Sequence, residues 1–367
     1  MTDASSPRDI LITGFPSFVA RKLVETIVAN ESAATLRLLV RPDFIDDADR
    51  KLHQMDAPRD RIQLLSGDVV ALDLGLSGRE YLELIANVTD IYHIASIWYL
   101  GVDRSEAFKV NVQGTRNILD TAYEMQHLRR LNHFSTAFVA GDRTGVIMED
   151  ELDEGQKFRN AYEESKFKAE REVREAMHHL PISIFRPSII VGDSTTGEID
   201  RMAGPYYLIN AIVNMPSMLP IPLPGKGEKP LNLVPIDFVC QAMHRISCLD
   251  DTAGDTFHLC DPNPLSARQV FELVAQRAGR RAPMGKLPYR LTQMVMKCPY
   301  LEKFTRNPRQ FMDDFNQLTI YNSMNTLGAL DGQNLCPPFP SYVKSLIDYI
   351  RVSELELEMP VGVEIMG

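Results

Sequence analysis

The sequence predicts an α/β fold: a doubly wound parallel sheet followed by a smaller, mostly helical C-terminal cap. Three observations carry that expectation. Apolar strand-like runs alternate with helix-periodic segments from Asp9 to about Ser188, the pattern of a parallel sheet whose crossovers are helices. The chain opens on Asp9-Ile10-Leu11-Ile12-Thr13-Gly14, then Phe15-Pro16-Ser17-Phe18 and a stretch with Val19, Leu23 and Ile27 on one face, which is a strand, a turn and a helix. After Gly192 the composition changes, and the region 204–230 is rich in proline, methionine and aromatics.

Taken in order, the candidate strands cover 9–13, 35–40, 61–65, 90–94, 131–136 and 182–186. The proline-rich region 204–230 reads as an irregular wall over the sheet rather than regular structure. Segments 231–234, 237–246 and 256–260 read as a return to the core sheet, and 266–348 as helices and loops. The acidic and apolar stretch 354–367 has no clear period and reads as a tail or an oligomer arm.

At 367 residues the chain can bury a large core, and its formal charge of −10 argues against a general nucleic-acid binder. No basic segment leading into an apolar stretch opens the chain and no apolar run reaches membrane-spanning length, so a cytoplasmic location is expected. The cysteines Cys240, Cys248, Cys260, Cys298 and Cys336 are odd in number, without CxxC spacing or paired histidines. Reduced, mostly buried thiols and no metal site are expected.

The most informative stretch is Tyr162-Glu163-Glu164-Ser165-Lys166. Four residues of helix stack the phenol and the ammonium on one face. A free tyrosine titrates near pH ~10, so acid–base work near neutrality calls for a shift of about 3 units, and a lysine one turn away can supply much of it. The opening unit in turn aims a helix N-terminus at a bound pyrophosphate.

Along the chain follow Leu64-Leu65-Ser66-Gly67-Asp68, Ile91-Tyr92-His93-Ile94-Ala95-Ser96, Asn111-Val112-Gln113-Gly114-Thr115, Phe134-Ser135-Thr136-Ala137 and Phe185-Arg186-Pro187-Ser188. This succession resembles the extended short-chain dehydrogenase/reductase superfamily over roughly the first 260 residues. Within it, Gly75-Leu76-Ser77, the run from Gly192 to Asp200, Gly204-Pro205-Tyr206-Tyr207 and the run from Leu233 to Val239 resemble the fatty acyl-CoA reductase and thioester reductase branch, the male-sterility type.

The resemblance implies a Rossmann-type NADP-binding core over 1–200 and 231–262, a substrate-binding cap over 201–230 and 263–353, and a tail over 354–367. It implies candidate catalytic residues Thr136, Tyr162 and Lys166, with Ser135 the rival of Thr136, and a cofactor set of Thr13, Gly14, Phe15, Ser17, Phe18, Arg41, Asp68, Ala95, Asn111, Lys166 and Pro187. Asp68 resembles an adenine contact, Asn111 the asparagine that shapes the active site, and Ala95-Ser96 a turn beneath the cofactor. His93 reads as a packed strand histidine. Arg41 follows the second strand where no acid stands, so it can pair with a 2′-phosphate, and NADPH is the expected cofactor.

The glycine motif departs from the family. Thr13-Gly14-Phe15-Pro16-Ser17-Phe18-Val19-Ala20 stands where TGxxGxxG is usual, with Ser17 at the closest approach to the pyrophosphate. The acidic pair that sugar dehydratases carry after the threonine is replaced by Ala137-Phe138.

The function expected is NADPH-dependent reduction of a long or bulky acyl thioester, carried by CoA or a carrier protein, to an aldehyde, with further reduction to an alcohol left open. Two alternatives stay open: a hydroxyl or ketone dehydrogenase of the hydroxysteroid-like or epimerase-like branch, and a non-catalytic binding protein on the same fold. Between 280 and 309 the bases Arg280, Arg281, Lys286, Arg290, Lys297, Lys303, Arg306 and Arg309 face the single acid Glu302. That segment reads either as a solvated cap helix or as a charged mouth for CoA phosphates, an acidic carrier or peripheral membrane contact. Oligomerisation stays open.

Overall fold

The computed structural model describes residues 7–98, 102–201, 204–214, 223–224, 227–280, 286–287, 318–333 and 335–352. In chain order the core elements are β1 (Asp9–Thr13), α1 (Phe18–Asn30), β2 (Thr35–Val40), α2 (Ile45–Gln54), β3 (Ile62–Ser66), α3 (Gly78–Asn87) and β4 (Asp90–His93). Next come α4 (Arg104–Phe108), a π-turn (Lys109–Gln113), α5 (Gly114–Glu124), β5 (Arg130–Phe134), β6 (Gly145–Ile147), α6 (Ala161–Ala176), β7 (Ile182–Pro187) and β8 (Ile189–Val191). The remainder is α7 (Tyr206–Asn214), β9 (Leu223–Pro224), β10 (Leu233–Pro235), α8 (Ile236–Ser247), β11 (Thr256–Leu259), α9 (Ala267–Arg277), β12 (Lys286–Leu287), β13 (Thr319–Tyr321), α10 (Met324–Leu330) and α11 (Phe339–Val352).

The main sheet is seven-stranded and parallel, in the order β11-β7-β5-β4-β1-β2-β3. Both faces are covered, so the apolar side chains of successive strand residues alternate in which layer they face. Ile10 and Ile12 of β1 pack with Leu23, Val24 and Ile27 of α1 and Val239, Met243 and Ile246 of α8. Leu11, between them, packs on the other face with Leu84 of α3 and Ile118 and Leu119 of α5. Each such side chain, fully buried, contributes roughly 1.5–3 kcal/mol of transfer free energy. A third cluster joins α7, α9 and α11 around Tyr206, Phe271 and Tyr342.

The structure departs from the sequence reading after Gly192. Segment 236–247 is helix α8, not strand: Phe238, Val239, Ala242, Met243 and Ile246 recur at three- and four-residue intervals and form its buried face, and Asp237 in its first turn accepts from the Ser194 amide and hydroxyl. Leu233–Pro235 pairs with β8 in a small separate sheet, so of the three segments read as returning to the core only β11 joins it. Within 204–230, residues 206–214 form helix α7 rather than irregular wall, because Leu208, Ile209, Ile212 and Val213 can all be buried by the cap cluster, and 215–222 and 225–226 lie outside the described residues. The fifth strand ends at Phe134, two residues earlier than read.

Among the described residues no helix is long and apolar enough to cross a membrane. Of the cysteines, Cys240 and Cys260 are buried, Cys336 is half-buried, Cys248 is exposed, and all four are free thiols. Cys298, the tail 354–367 and the basic segment 280–309 lie outside the described residues, apart from Arg280, whose guanidinium donates to the Val213 carbonyl, and the short strand β12. At the amino ends of the strands Glu31, His244 and Cys248 gather. The Arg8 guanidinium donates to Glu31 and, at 3.2 Å, to the Cys248 Sγ, so a cation of the chain's own holds that cluster.

Candidate active site

The strand order reverses between β1 and β4, and in open parallel sheets ligands bind at the carboxyl ends of the strands at such a point. Gly14 stands there in the left-handed region (φ +87), and a Cβ on it would lie 2.7 Å from the Ala95 amide nitrogen. Only glycine lets the two strand ends come this close. Ser17 is the N-cap of α1: its hydroxyl accepts from the Ala20 amide and its own N–H donates to the Gly14 carbonyl. Pro16 has no N–H, so the amides of Phe18 and Val19 head the helix where an anion would meet them. Phe15 turns its ring into the core.

Below this turn runs a fully bonded polar chain. The Thr13 Oγ1 accepts from the Ile94 and Ala95 amides at 3.1 Å and contacts the His93 Nδ1 at 2.9 Å. The Thr115 Oγ1 donates to the Asn111 carbonyl at 2.7 Å and contacts the His93 Nε2 at 3.0 Å. With that proton spent, Thr115 accepts from His93, and Thr13 donates to it: the bonding assigns the Nε2–H tautomer. Burial, then Lys166, push this imidazole down to about 3. His93 is therefore a neutral strut under the turn, a role the sequence reading did not give it.

Arg41 follows β2 and lies among Asp43 (3.0 Å), Asp68 (3.7 Å) and the Phe44 ring (5.4 Å to its centre). Asp68 spends one oxygen on the Val70 amide. The two residues predicted for the adenosine end of a cofactor are thus side by side and opposite in charge.

Asn160 caps α6, its side chain accepting from the Glu163 amide at 2.9 Å, and this sets Tyr162 in the first turn. Thr136 lies against Tyr162 closely enough to act on its phenol. Burial pushes the phenol up to about 12, Thr136 opposes that, and Glu163 adds to it. Lys166, one turn on, is buried and donates to the Phe134 carbonyl at 2.6 Å. Burial lowers it to about 8 while Glu170 opposes the fall. The expectation that Lys166 depresses the tyrosine is thereby corrected: its ammonium is turned to a strand carbonyl, and burial dominates at the phenol.

Ser135 and Thr136 separate cleanly. Ser135 donates to the buried Glu170 at 2.5 Å, pointing away from Tyr162, whereas Thr136 opens the turn 137–140 and accepts from the Phe138 amide. Asn111, in the π-turn, clamps the loop after β4 through the Ile97 amide (2.7 Å) and carbonyl (3.0 Å) and donates to the Ser165 hydroxyl at 2.9 Å. Pro187 closes β7, and beyond it a cleft is lined by Phe138, Arg159, Ser188, Asn232 and Tyr321. Arg159 is paired with the buried Glu163. Nothing in the sequence flagged Arg159 or Glu170, although Glu170 lies two turns from Tyr162 on the same helical face.

Known proteins resemble the chain in sequence and fold. Over 277 residues the chain is 26% identical to the fatty acyl-CoA reductase wat of Drosophila melanogaster, covering 64% of this chain and 53% of that protein. It is 25% identical to part of a linear gramicidin synthase of Brevibacillus parabrevis, over 71% of this chain and 5% of that protein. The chain thus spans about half or less of the length of these relatives. Among solved structures it superposes on the terminal R domain of the myxalamid PKS-NRPS pathway with a TM-score of 0.80 at 25% identity, covering 95% of this chain and 92% of that one. An archaeal thiolation-reductase di-domain shares the fold with a TM-score of 0.73 at 19% identity, over 94% of this chain and 75% of that one. The family model for the male sterility protein matches residues 12–243. The chain belongs to this NAD-binding family and is an NAD(P)-binding oxidoreductase of the extended short-chain dehydrogenase/reductase type.

Proposed function

We propose that the chain reduces an acyl thioester, held on CoA or a carrier protein, with NADPH. The observation that supports this is that Tyr162 lies against Thr136 while Lys166, one helical turn on, holds the Phe134 carbonyl at the end of the strand leading to Thr136. The 95% overlap with an R domain and the identity to a fatty acyl-CoA reductase support the substrate class.

The cradle suits a dinucleotide. Its floor is the close approach of Gly14 to Ala95 that a Cβ would prevent, the first amides of α1 would face its phosphate side, and Arg41 at the end of β2 would meet a 2′-phosphate. Bound there, the cofactor supplies the hydride. Thr136 and Tyr162 then meet the thioester oxygen as it gains charge, and Tyr162, protonated throughout the neutral range, gives it a proton. Lys166 holds the strand end that carries Thr136. Collapse of the resulting hemithioacetal breaks the C–S bond, leaving an aldehyde and a free thiol. In this reading residues 1–200 with 231–262 hold the cofactor and 201–230 with 263–353 the acyl group, in a cytoplasmic protein.

The test is substrate profiling with NADPH and NADH against an acyl-CoA, an acyl carrier thioester and a panel of alcohols. Thiol release coupled to NADPH oxidation is expected. Reversible alcohol oxidation without activity on any thioester would replace this reading with a hydroxyl dehydrogenase.

A further inference from the structure

Tyr162, Lys166 and Glu170 occupy successive turns of α6, and Glu170 is completely buried. Its carboxylate accepts from Ser135 (2.5 Å), from Arg186 through Nε (3.1 Å) and Nη2 (2.5 Å), and from Arg174 Nε (3.1 Å). Burial pushes it up, but Arg186, Arg174 and Ser135 together outweigh that and hold it at about 2. Arg186 also contacts the His258 Nε2 at 3.3 Å, and the His258 Nδ1 lies 2.6 Å from the Asn322 carbonyl, next to Tyr321 in the cleft wall. With His258 donating from Nδ1, Arg186 is the donor to Nε2.

Lys166 sits above this group in otherwise neutral surroundings. From β4 and β5 it faces His93 and His133, both kept uncharged by burial. His133 is fully buried with neither ring nitrogen bonded among the described residues. From α6 itself it faces Tyr162 and Glu170. The charges that α4 and α5 bring to α6, Arg104 and Arg116, are paired with Glu164 and Glu172 on its outer side. The anion set against the lysine's desolvation is therefore Glu170.

We propose that Glu170 is a positioning residue of the reductase site: pinned by Arg186 and Arg174, it keeps Lys166 in its ammonium form and, through Ser135, fixes the strand end that presents Thr136 to Tyr162. The proposal rests on Thr136, Tyr162 and Lys166 forming the site, and it adds a residue that touches neither substrate nor cofactor. An uncharged Lys166 holds the Phe134 carbonyl more weakly than the ammonium does, because the bond loses its charge assistance, so activity in the reductive direction falls as that proton is lost. Removing the Glu170 charge brings this fall to lower pH. Removing the cation at Arg174, which is partly exposed, strengthens the field of Glu170 at Lys166 and sends the fall to higher pH.

The experiment is the pH profile of kcat for reduction of an acyl-CoA thioester by NADPH in wild type, Glu170→Gln, Arg174→Met and Tyr162→Phe, with circular dichroism and NADPH fluorescence titration confirming that each is folded. The descending limb is expected to move down by about one pH unit in Glu170→Gln, a loss of about tenfold at a pH above the shifted limb with little loss below it. It is expected to move up in Arg174→Met. A purely structural role lowers the rate evenly across pH and leaves the limb in place. If Glu170→Gln does not fold, Arg174→Met decides: an unmoved or lowered limb overturns the proposal. An active Tyr162→Phe overturns the underlying site assignment instead, while an inactive Tyr162→Phe with an unmoved Glu170→Gln limb overturns only the role of Glu170.

Discussion

A phenol held at about 12 keeps its proton at every physiological pH, so Tyr162 enters the reaction as an acid, though a weaker one than tyrosine at its ordinary value. Tyr162→Phe keeps the ring and removes that proton, so we expect kcat to fall about 100-fold or more with NADPH affinity little changed, measured by initial rates and fluorescence titration. Arg41 is the second residue whose chemistry can be isolated. A charge-assisted bond to a 2′-phosphate contributes roughly 1.5–3 kcal/mol, against which stands its present pairing with Asp43 and Asp68. We expect a tenfold or greater preference for NADPH in kcat/KM that Arg41→Ala abolishes; equal kinetics with both cofactors in the wild type would refute the assignment. At this scale the sequence was legible where contacts are local: one helical turn between Tyr162 and Lys166 is written in their spacing. The choice between Ser135 and Thr136 was not, because it depends on Glu170, 35 residues from Ser135 and reached only when α6 folds over β5.

The element that departs from its family's pattern is the turn into α1. Ser17 brings a side chain to the cofactor's closest approach, yet it also caps the helix through the Ala20 amide. Ser17→Ala should cost about 1 kcal/mol of stability and Ser17→Gly only a few tenths, read from urea unfolding. Since glycine also clears the approach, Ser17→Gly is expected to bind NADPH at least as tightly as the wild type; weaker binding would mean that the hydroxyl itself holds a phosphate. The strands β1 and β2 and helix α1 were legible because their apolar residues recur with one period in uninterrupted runs. Helix α7 was hidden by being apolar nearly all round, which leaves no polar face to mark a period, and by the proline-rich flanks of its segment. Helix α8 was read only as part of a return to the core sheet because its apolar run continues directly from β10, and only the spacing of Phe238, Ala242 and Ile246 marks it as helix.

Across the whole molecule, the buried Glu170–Arg186 pair ties the catalytic helix to β7 and, through His258, to the wall of the cleft. Breaking such a pair by removing one partner typically costs ~3–5 kcal/mol. Its acid dependence has a defined sign. Glu170 titrates lower in the folded chain than in the unfolded one, so its contribution is complete above the ordinary glutamate range and is lost as pH falls toward about 2. Glu149 and Glu163, raised by burial, act in the opposite sense. We expect Tm to hold from pH 7 to 5 and to fall steeply between about 4.5 and 2, and the fall to be shallower in Glu170→Gln; a Tm insensitive to acid would contradict the role of the pair. The doubly wound order of the sheet was legible from the alternation of apolar runs, whereas the meeting of cleft, network and strand ends needed the fold. The central claim is chemical, and single turnover with NADPH deuterated at the transferable C4 position and an acyl thioester tests it most directly. The account expects deuterium on the carbonyl carbon of the product and one thiol released per NADPH oxidised. NADPH oxidation without thiol, or thiol released with no deuterium in the product, would contradict it.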